Sequence, residues 1–243
     1  MRTFVCEDES MATQAAFDIP MDPALPLYRL EAATYARMVE AGVLDGAEIG
    51  LRDGLLVRRS SGRAGALYRL DTETYNRMVA TGALADEPVE LLEGLLIEMG
   101  RQGPSHVAVI IRLTRHLARA HAWLAVQLPL EIKPRSEPEP DLALIEGEPS
   151  SEQLPRRALL AVEVAVTTQS KDRRAKGPIY ACNEVRTYWL VDVPACTVEV
   201  RTQPGAESYG RCEVYNVGDR VPSPAEGVPD LDVAWLFDEP GEA

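Results

Sequence analysis

Three residues in the second half of the chain have the types and spacing that chemistry needs. Asp141 enters the apolar run of EPEPDLALIEG, residues 137–147. Glu163 interrupts LLAVEVAV, residues 159–166, whose apolar and β-branched character is that of a strand buried on both faces. Lys176 follows in TTQSKDRRAKGPIYACNEV, a basic stretch read as loop and then helix. A carboxylate buried without a partner is costly, so Glu163 requires either the cation of a structural ion pair or a metal. Strand alternation puts it on one face with Leu159, Ala161 and Ala165, and the two alanines leave room for a ligand. Two carboxylates on neighbouring strands offer hard oxygens suited to Mg2+ or Mn2+. An ammonium beside them can orient a water and offset charge on a phosphorane-like transition state. Together these parts suit metal-dependent phosphodiester hydrolysis. A glycosidase would line its cleft with aromatics, which make up only 6% of this chain. A kinase would need a phosphate loop, and no GxxxxGK[ST] occurs.

The elements that must hold these residues can be read in outline. In EPEPD the prolines keep the approach extended, because residues before proline avoid the helical region. Asp141 therefore begins the strand DLALI, while Glu137 and Glu139 are read as solvated. Upstream, HVAVIIRLTRHLARAHAWL from His106 has the periodicity of an amphipathic helix. Ile110, Leu113, Leu117, Ala120 and Leu124 form its buried stripe, with Arg112, Arg115, His116 and Arg119 on the other side. That arginine face is either solvated or turned towards phosphates. AVQLPLEI, TYWLVDV, TVEVR and RCEVYNVGDRV read as strands, and VPDLDVAWLF packs the end.

An internal duplication precedes this region. LYRLEAATYARMVEAGVLDGAEIGLRDGLLV from Leu27 and LYRLDTETYNRMVATGALADEPVELLEGLLI from Leu67 agree at about half their positions. Two units are too few for a solenoid. Each reads as a short helix, closed by Gly42 or Gly82, and then a strand. The copies share what packing and turns require but differ at Glu90, which is Gly50 in the first copy, and at Glu98, which is Arg58. The second copy is therefore assigned to the working domain and the first to a structural appendage.

The chain has 243 residues, enough for one α/β domain with a full core and a small addition. A net charge of −13 argues against a general nucleic-acid coat protein. The charge is segregated, however. Residues 100–130 contain no Asp or Glu, yet hold Arg101, Arg112, Arg115, Arg119 and all three histidines. No apolar run has the roughly 20 residues of a membrane span, and acids occupy the N-terminal stretch where a secretory signal would be apolar. A cytoplasmic protein with no membrane association is expected. The scattered Cys6, Cys182, Cys196 and Cys212 then stay reduced.

The order Glu90, Asp141, Glu163, Lys176 resembles the PD-(D/E)XK, or restriction-endonuclease-like, nuclease superfamily. More narrowly, the chain resembles the Uma-type family of bacterial restriction endonucleases over about residues 68–237. The matching stretches are YRLDTETYNRMVATGALADEPVELLEGLLIEM, the PSH at 104–106, EPEPDLALIEG, VEVAVTTQSKDRRAK and TYWLVDV. The resemblance implies an α/β (α+β) fold with a mixed central sheet flanked by helices. Asp141 and Glu163 would be ligands of Mg2+ or Mn2+ and Lys176 the catalytic lysine, with Glu90 and His106 at further acidic and histidine positions of the site. The superfamily's lysine usually stands two residues after the acid. Ala165 is there in this chain, so the ammonium must reach in from Lys176, beside the helix-breaking pair Gly177–Pro178. The organisation expected is a flexible tail over 1–26, a duplicated appendage over 27–66 and the nuclease-like domain over 67–243. The expected partner is DNA, or else RNA, contacted by Arg112, Arg115 and Arg119, and a homodimer suits paired cuts in duplex DNA. The alternative is a catalytically degenerate relative serving as a binding or assembly module.

Overall fold

The computed structural model describes residues 25–44, 48–59, 66–84, 87–100, 102–132 and 134–238. Nearly all of the expected N-terminal tail, Cys6 and Arg101 lie outside them. Each repeat copy folds as a helix followed by a two-stranded hairpin, rather than by the single strand expected. The first copy has α1 (Ala32–Glu40), β1 (Ile49–Arg52) and β2 (Leu55–Arg58). The second has α2 (Thr72–Ala80), β3 (Val89–Leu92) and β4 (Leu95–Glu98). The apolar stretch is cut in two because Asp53–Gly54 and Glu93–Gly94 adopt positive φ at both residues, the turn that matches hairpin twist. Asp71 caps α2 by accepting from Thr74 N at 2.7 Å, whereas Glu31 makes no such bond to α1.

The two copies interlock reciprocally. Leu27 bridges to Ile97 and Tyr28 N donates to Leu96 O at 2.9 Å. In the mirror contact Leu67 bridges to Val57 and Tyr68 N donates to Leu56 O at 2.8 Å. One apolar cluster spans both copies, with Met38 and Met78 fully buried in it. The chain approaches these turns closely: a Cβ at Gly94 would lie 2.7 Å from Arg69 Cβ and 2.8 Å from Leu70 O, at φ +79°. Gly94→Ala is therefore expected to destabilise by about 1–3 kcal/mol in urea denaturation. Gly82→Ala, at φ +73° but with nothing within 4 Å, should cost visibly less.

The central sheet has the order β10-β9-β8-β7-β6-β5. Its strands are β5 (Trp123–Val126), β6 (Leu142–Ile145), β7 (Ala158–Ala165), β8 (Thr187–Asp192), β9 (Thr197–Pro204) and β10 (Tyr209–Tyr215). All pairs are antiparallel except β7–β8, so the sheet is mixed. Between those parallel strands runs the crossover of α4 (Gln169–Lys171), a π-helical turn (Asp172–Lys176) and α5 (Gly177–Cys182). One face of the sheet packs on α3 (Pro104–Leu117) and α6 (Val233–Phe237), beside the short pair β11 (Arg220–Val221) and β12 (Leu231–Asp232). The other face packs on the crossover and the second-copy hairpin.

β7 distributes its side chains as alternation demands. Leu160, Val162 and Val164 enter the α3 core, and Ala161 and Ala165 the opposite one. The space beside the alanines does not stay open: Tyr180 and Tyr188, with ring centroids 5.2 Å apart, pack in the same core. The helix from His106 is also shorter than expected. It stops at Leu117, and Leu124 belongs to β5. His116, read as outward, is buried, whereas Ile111 is 63% exposed. Likewise AVQLPLEI forms a strand only to Val126, since Gln127 turns to positive φ just before Leu128–Pro129.

Candidate active site

The segment 134–141 is a clamp between the second repeat copy and the sheet. Glu137 N donates to Leu91 O at 2.7 Å and Glu139 N to Glu90 Oε2 at 3.2 Å. The opposite edge carries Pro138, which needs no donor there and whose carbonyl accepts from Leu130 N at 2.9 Å. Pro138 thus occupies a position that uses only a carbonyl. The expectation of solvated acids fails for Glu137 and holds only in part for Glu139, which is half-buried. Glu137 is buried and accepts from Asn76 Nδ2 at 3.1 Å, and Glu139 lines the cavity described below.

Asp141 stands one residue before β6. Its Oδ2 accepts from Val164 N at 2.8 Å and lies 3.2 Å from His106 Nε2, which is delivered by the first turn of α3. His106 Nδ1 is buried with no hydrogen-bond partner among the described residues. Glu163 is buried, and its Oε1 receives Tyr180 OH at 2.6 Å and Lys176 Nζ at 2.9 Å. Lys176, 3% exposed, also lies 2.9 Å from Glu90 Oε2 and 3.3 Å from Glu139 O. Lys171 Nζ closes on the other oxygen of Glu90 at 3.0 Å. The five residues singled out in sequence, Glu90, His106, Asp141, Glu163 and Lys176, therefore line one cavity of about 110 Å³.

The π-helical turn makes this possible. Five residues apart, Lys171 and Lys176 would sit about 140° apart on an α-helix. The wider turn, in which Gly177 N donates to Asp172 O, lets both ammonium groups grip one carboxylate. It also admits Pro178 in the first turn of α5. Carbonyls near this irregularity are taken up from outside: Tyr188 OH donates to Asp172 O at 3.1 Å and Arg201 Nη1 to Arg173 O at 3.3 Å.

Five carboxylates line the cavity (Glu90, Glu139, Asp141, Glu163, Asp172) against two ammonium groups (Lys171, Lys176). The formal excess is three negative charges. Burial pushes the Glu163 carboxyl well above its ordinary range, and Asp172, Asp141 and Glu90 reinforce this against the pull of Lys176. Burial likewise raises Glu139 and Asp172. Glu90 differs: burial works upward, but Lys176 and Lys171 outweigh it and hold it low. For Lys176, burial works downward and is overridden by Glu163, Glu90 and Asp172, so the ammonium stays charged. Asp141 Oδ1 and Glu163 Oε2 make no hydrogen bond among the described residues. No group of three His, Cys, Asp or Glu side chains among them forms a complete metal shell. Two free hard oxygens in a surplus of negative charge nonetheless suit a divalent cation completed by water and substrate.

Lys171, Asp172 and Glu139 also line the cavity, and Tyr180 bonds to Glu163, without a sequence signal that marks them. Lys171 and Asp172 were hidden in a basic run, and only the Gly177–Pro178 break hinted at a turn that would present them. Of the arginines proposed for nucleic acid, Arg112 is engaged elsewhere. It donates to Leu236 O at 2.8 Å and to Asp238 O, closing the end of α6. Arg115 and Arg119 are exposed, with no ion pair or hydrogen bond among the described residues.

A six-stranded mixed sheet flanked by helices is a restriction-endonuclease-like fold. The family comparison agrees: residues 72–235 match the Uma2 model, described as "Putative restriction endonuclease". The chain belongs to the Uma2 family. The match begins in α2 of the second copy and leaves the first copy outside it. The crystal structure of a "putative nuclease belonging to DUF820" from Anabaena variabilis is similar at 17% identity, with a TM-score of 0.48, over 61% of this chain and 89% of that one. No curated protein matches.

Proposed function

We propose that this protein is a divalent-metal-dependent endonuclease that hydrolyses phosphodiester bonds of DNA in the cytoplasm. The observation that carries the reading is the convergence of Asp141, Glu163 and Lys176 on one cavity with an excess of negative charge. Asp141 and Glu163 would hold Mg2+ or Mn2+, which when bound supplies Lewis-acid charge and an acidified water. His106 and Val164 N fix the orientation of Asp141, as Tyr180 fixes that of Glu163. Lys176 stays protonated, orients the attacking water and offsets charge on the phosphoryl oxygens. Glu90, gripped by both lysines, keeps Lys176 in place. Arg115 and Arg119 contact the nucleic-acid backbone. Paired cuts in duplex DNA favour two such sites, which a homodimer supplies. Residues 27–66 serve as a structural appendage to the unit 67–243.

The test is cleavage of single- and double-stranded DNA, and of RNA, with each metal and with chelator. Metal binding without cleavage of any of these would leave the binding-module reading, which the closed Lys176–Glu163–Glu90 network favours. In a second measurement, pH acts with a definite sign. Between the ordinary carboxylate value and the raised value of Glu163, the folded protein holds a proton that the unfolded chain does not. Metal-free stability is thus expected to fall as pH rises through that window. The extra melting temperature conferred by Mn2+ should rise over the same window, because the ion displaces that proton. A pH-independent Mn2+ shift would remove Glu163 as a ligand.

A further inference from the structure

A second cavity, of about 360 Å³, lies at the opposite end of α3 from His106. His116, which lines it, is ten residues further along the helix, about 15 Å by helical rise. Its walls include Arg115, His116, Arg119, Arg220 and Trp235. Arg115 and Arg119, one turn apart, make no ion pair or hydrogen bond among the described residues. His116 is buried with Nε2 lacking a hydrogen-bond partner among those residues, and its ring centroid is 6.1 Å from that of Trp235. Burial lowers the His116 pKa and Arg119 adds to this, against the Pro229 carbonyl, so the imidazole is neutral. Trp235, in the middle of α6, is 40% exposed. The two acids of the rim already serve the backbone. Asp230 accepts from Ser223 N at 3.0 Å, and Asp232 from Ala234 N and Trp235 N at 2.9 and 3.2 Å.

We infer that this cavity binds a single nucleotide. Three guanidinium groups over two carboxylates favour a phosphate. An exposed indole offers a stacking surface for a base, and a buried ring nitrogen without a partner calls for a polar contact. The volume lies at the small end of ligand cavities, which run from about 300 Å³ to 1,000 Å³. The nucleotide is either free or one unit of a single strand. The strand form rests on the nuclease reading, and the free form does not.

The test uses the full chain with chelator present, so that the carboxylate site contributes no metal-dependent binding. Deoxyadenosine monophosphate, deoxyadenosine, inorganic phosphate and a short single-stranded oligonucleotide are titrated by calorimetry. The monophosphate should bind at least ~10-fold more tightly than the nucleoside or phosphate. Arg115→Gln/Arg119→Gln and, separately, Trp235→Leu should each weaken it ~10-fold, with melting temperatures close to the parent's. Asp141→Ala should leave it unchanged. An oligonucleotide that binds at least ~10-fold tighter than the monophosphate, and is weakened by the same substitutions, identifies a strand unit. Any lesser oligonucleotide affinity identifies a free nucleotide. Monophosphate binding no tighter than that of its parts, or indifferent to both variants, overturns the inference. Because cleavage is not measured, that failure is separate from failure of the nuclease assignment.

Discussion

Glu163→Gln should lower metal-dependent DNA cleavage about 10³-fold while the fold persists. Glutamine keeps the volume and can still accept from Tyr180 and Lys176, so the packing on Ala161 and Ala165 survives. Above the raised value of Glu163, what is lost is one negative charge from a cavity that holds too many. In the absence of metal the variant should therefore melt at or above the parent temperature, and the stabilisation by Mn2+ should vanish. A variant that melts lower without metal, yet is still stabilised by Mn2+, would make Glu163 a purely structural partner of Lys176.

Lys176→Met should produce the largest loss of stability of any single change at the site. The ammonium is buried between Glu90 and Glu163, and its removal leaves both carboxylates without it, at a cost of about 3–5 kcal/mol. Lys171→Met should cost less, because Lys176 still holds Glu90. Adding Glu163→Gln to Lys176→Met should restore part of the stability but none of the cleavage. Urea denaturation of the two single variants and the double variant measures this coupling. Strict additivity would mean that the pair does not act as a unit. Partial rescue of stability with activity still absent separates the structural duty of the lysine from its chemical one.

Much of this site was legible in the chain because its signals are local violations of pattern. A glutamate inside an apolar strand and an aspartate after alternating prolines are visible one residue at a time. Glu90 became visible because its repeat counterpart is Gly50, which lacks the side chain. The sheet strands followed from β-branched runs, and the parallel β7–β8 pair suits the long segment between them. What could not be read depends on geometry without a sequence period. A π-helical turn has no signature apart from the proline it accommodates, so Lys171 and Asp172 looked like members of a solvated basic run. The first hairpin does carry a turn signal, Asp53–Gly54, which the repeat alignment pairs with the less telling Glu93–Gly94, where glutamate only tolerates positive φ. His116 was misplaced because α3 stops at Leu117, letting α6 and the residues around Pro229 cover a face assigned to solvent.

The reciprocal bridging of the two repeat copies has a consequence for how chains can associate. Leu27–Tyr28 completes the hairpin of the second copy, and Leu67–Tyr68 that of the first. Such an arrangement is self-complementary in the way of a twofold contact between identical subunits. Here both halves belong to one polypeptide, so the effective concentration of each for the other is set by the tether rather than by the amount of protein. The contact persists at any dilution, and its surface is already spent. An association between chains that left this internal contact intact would use a different face.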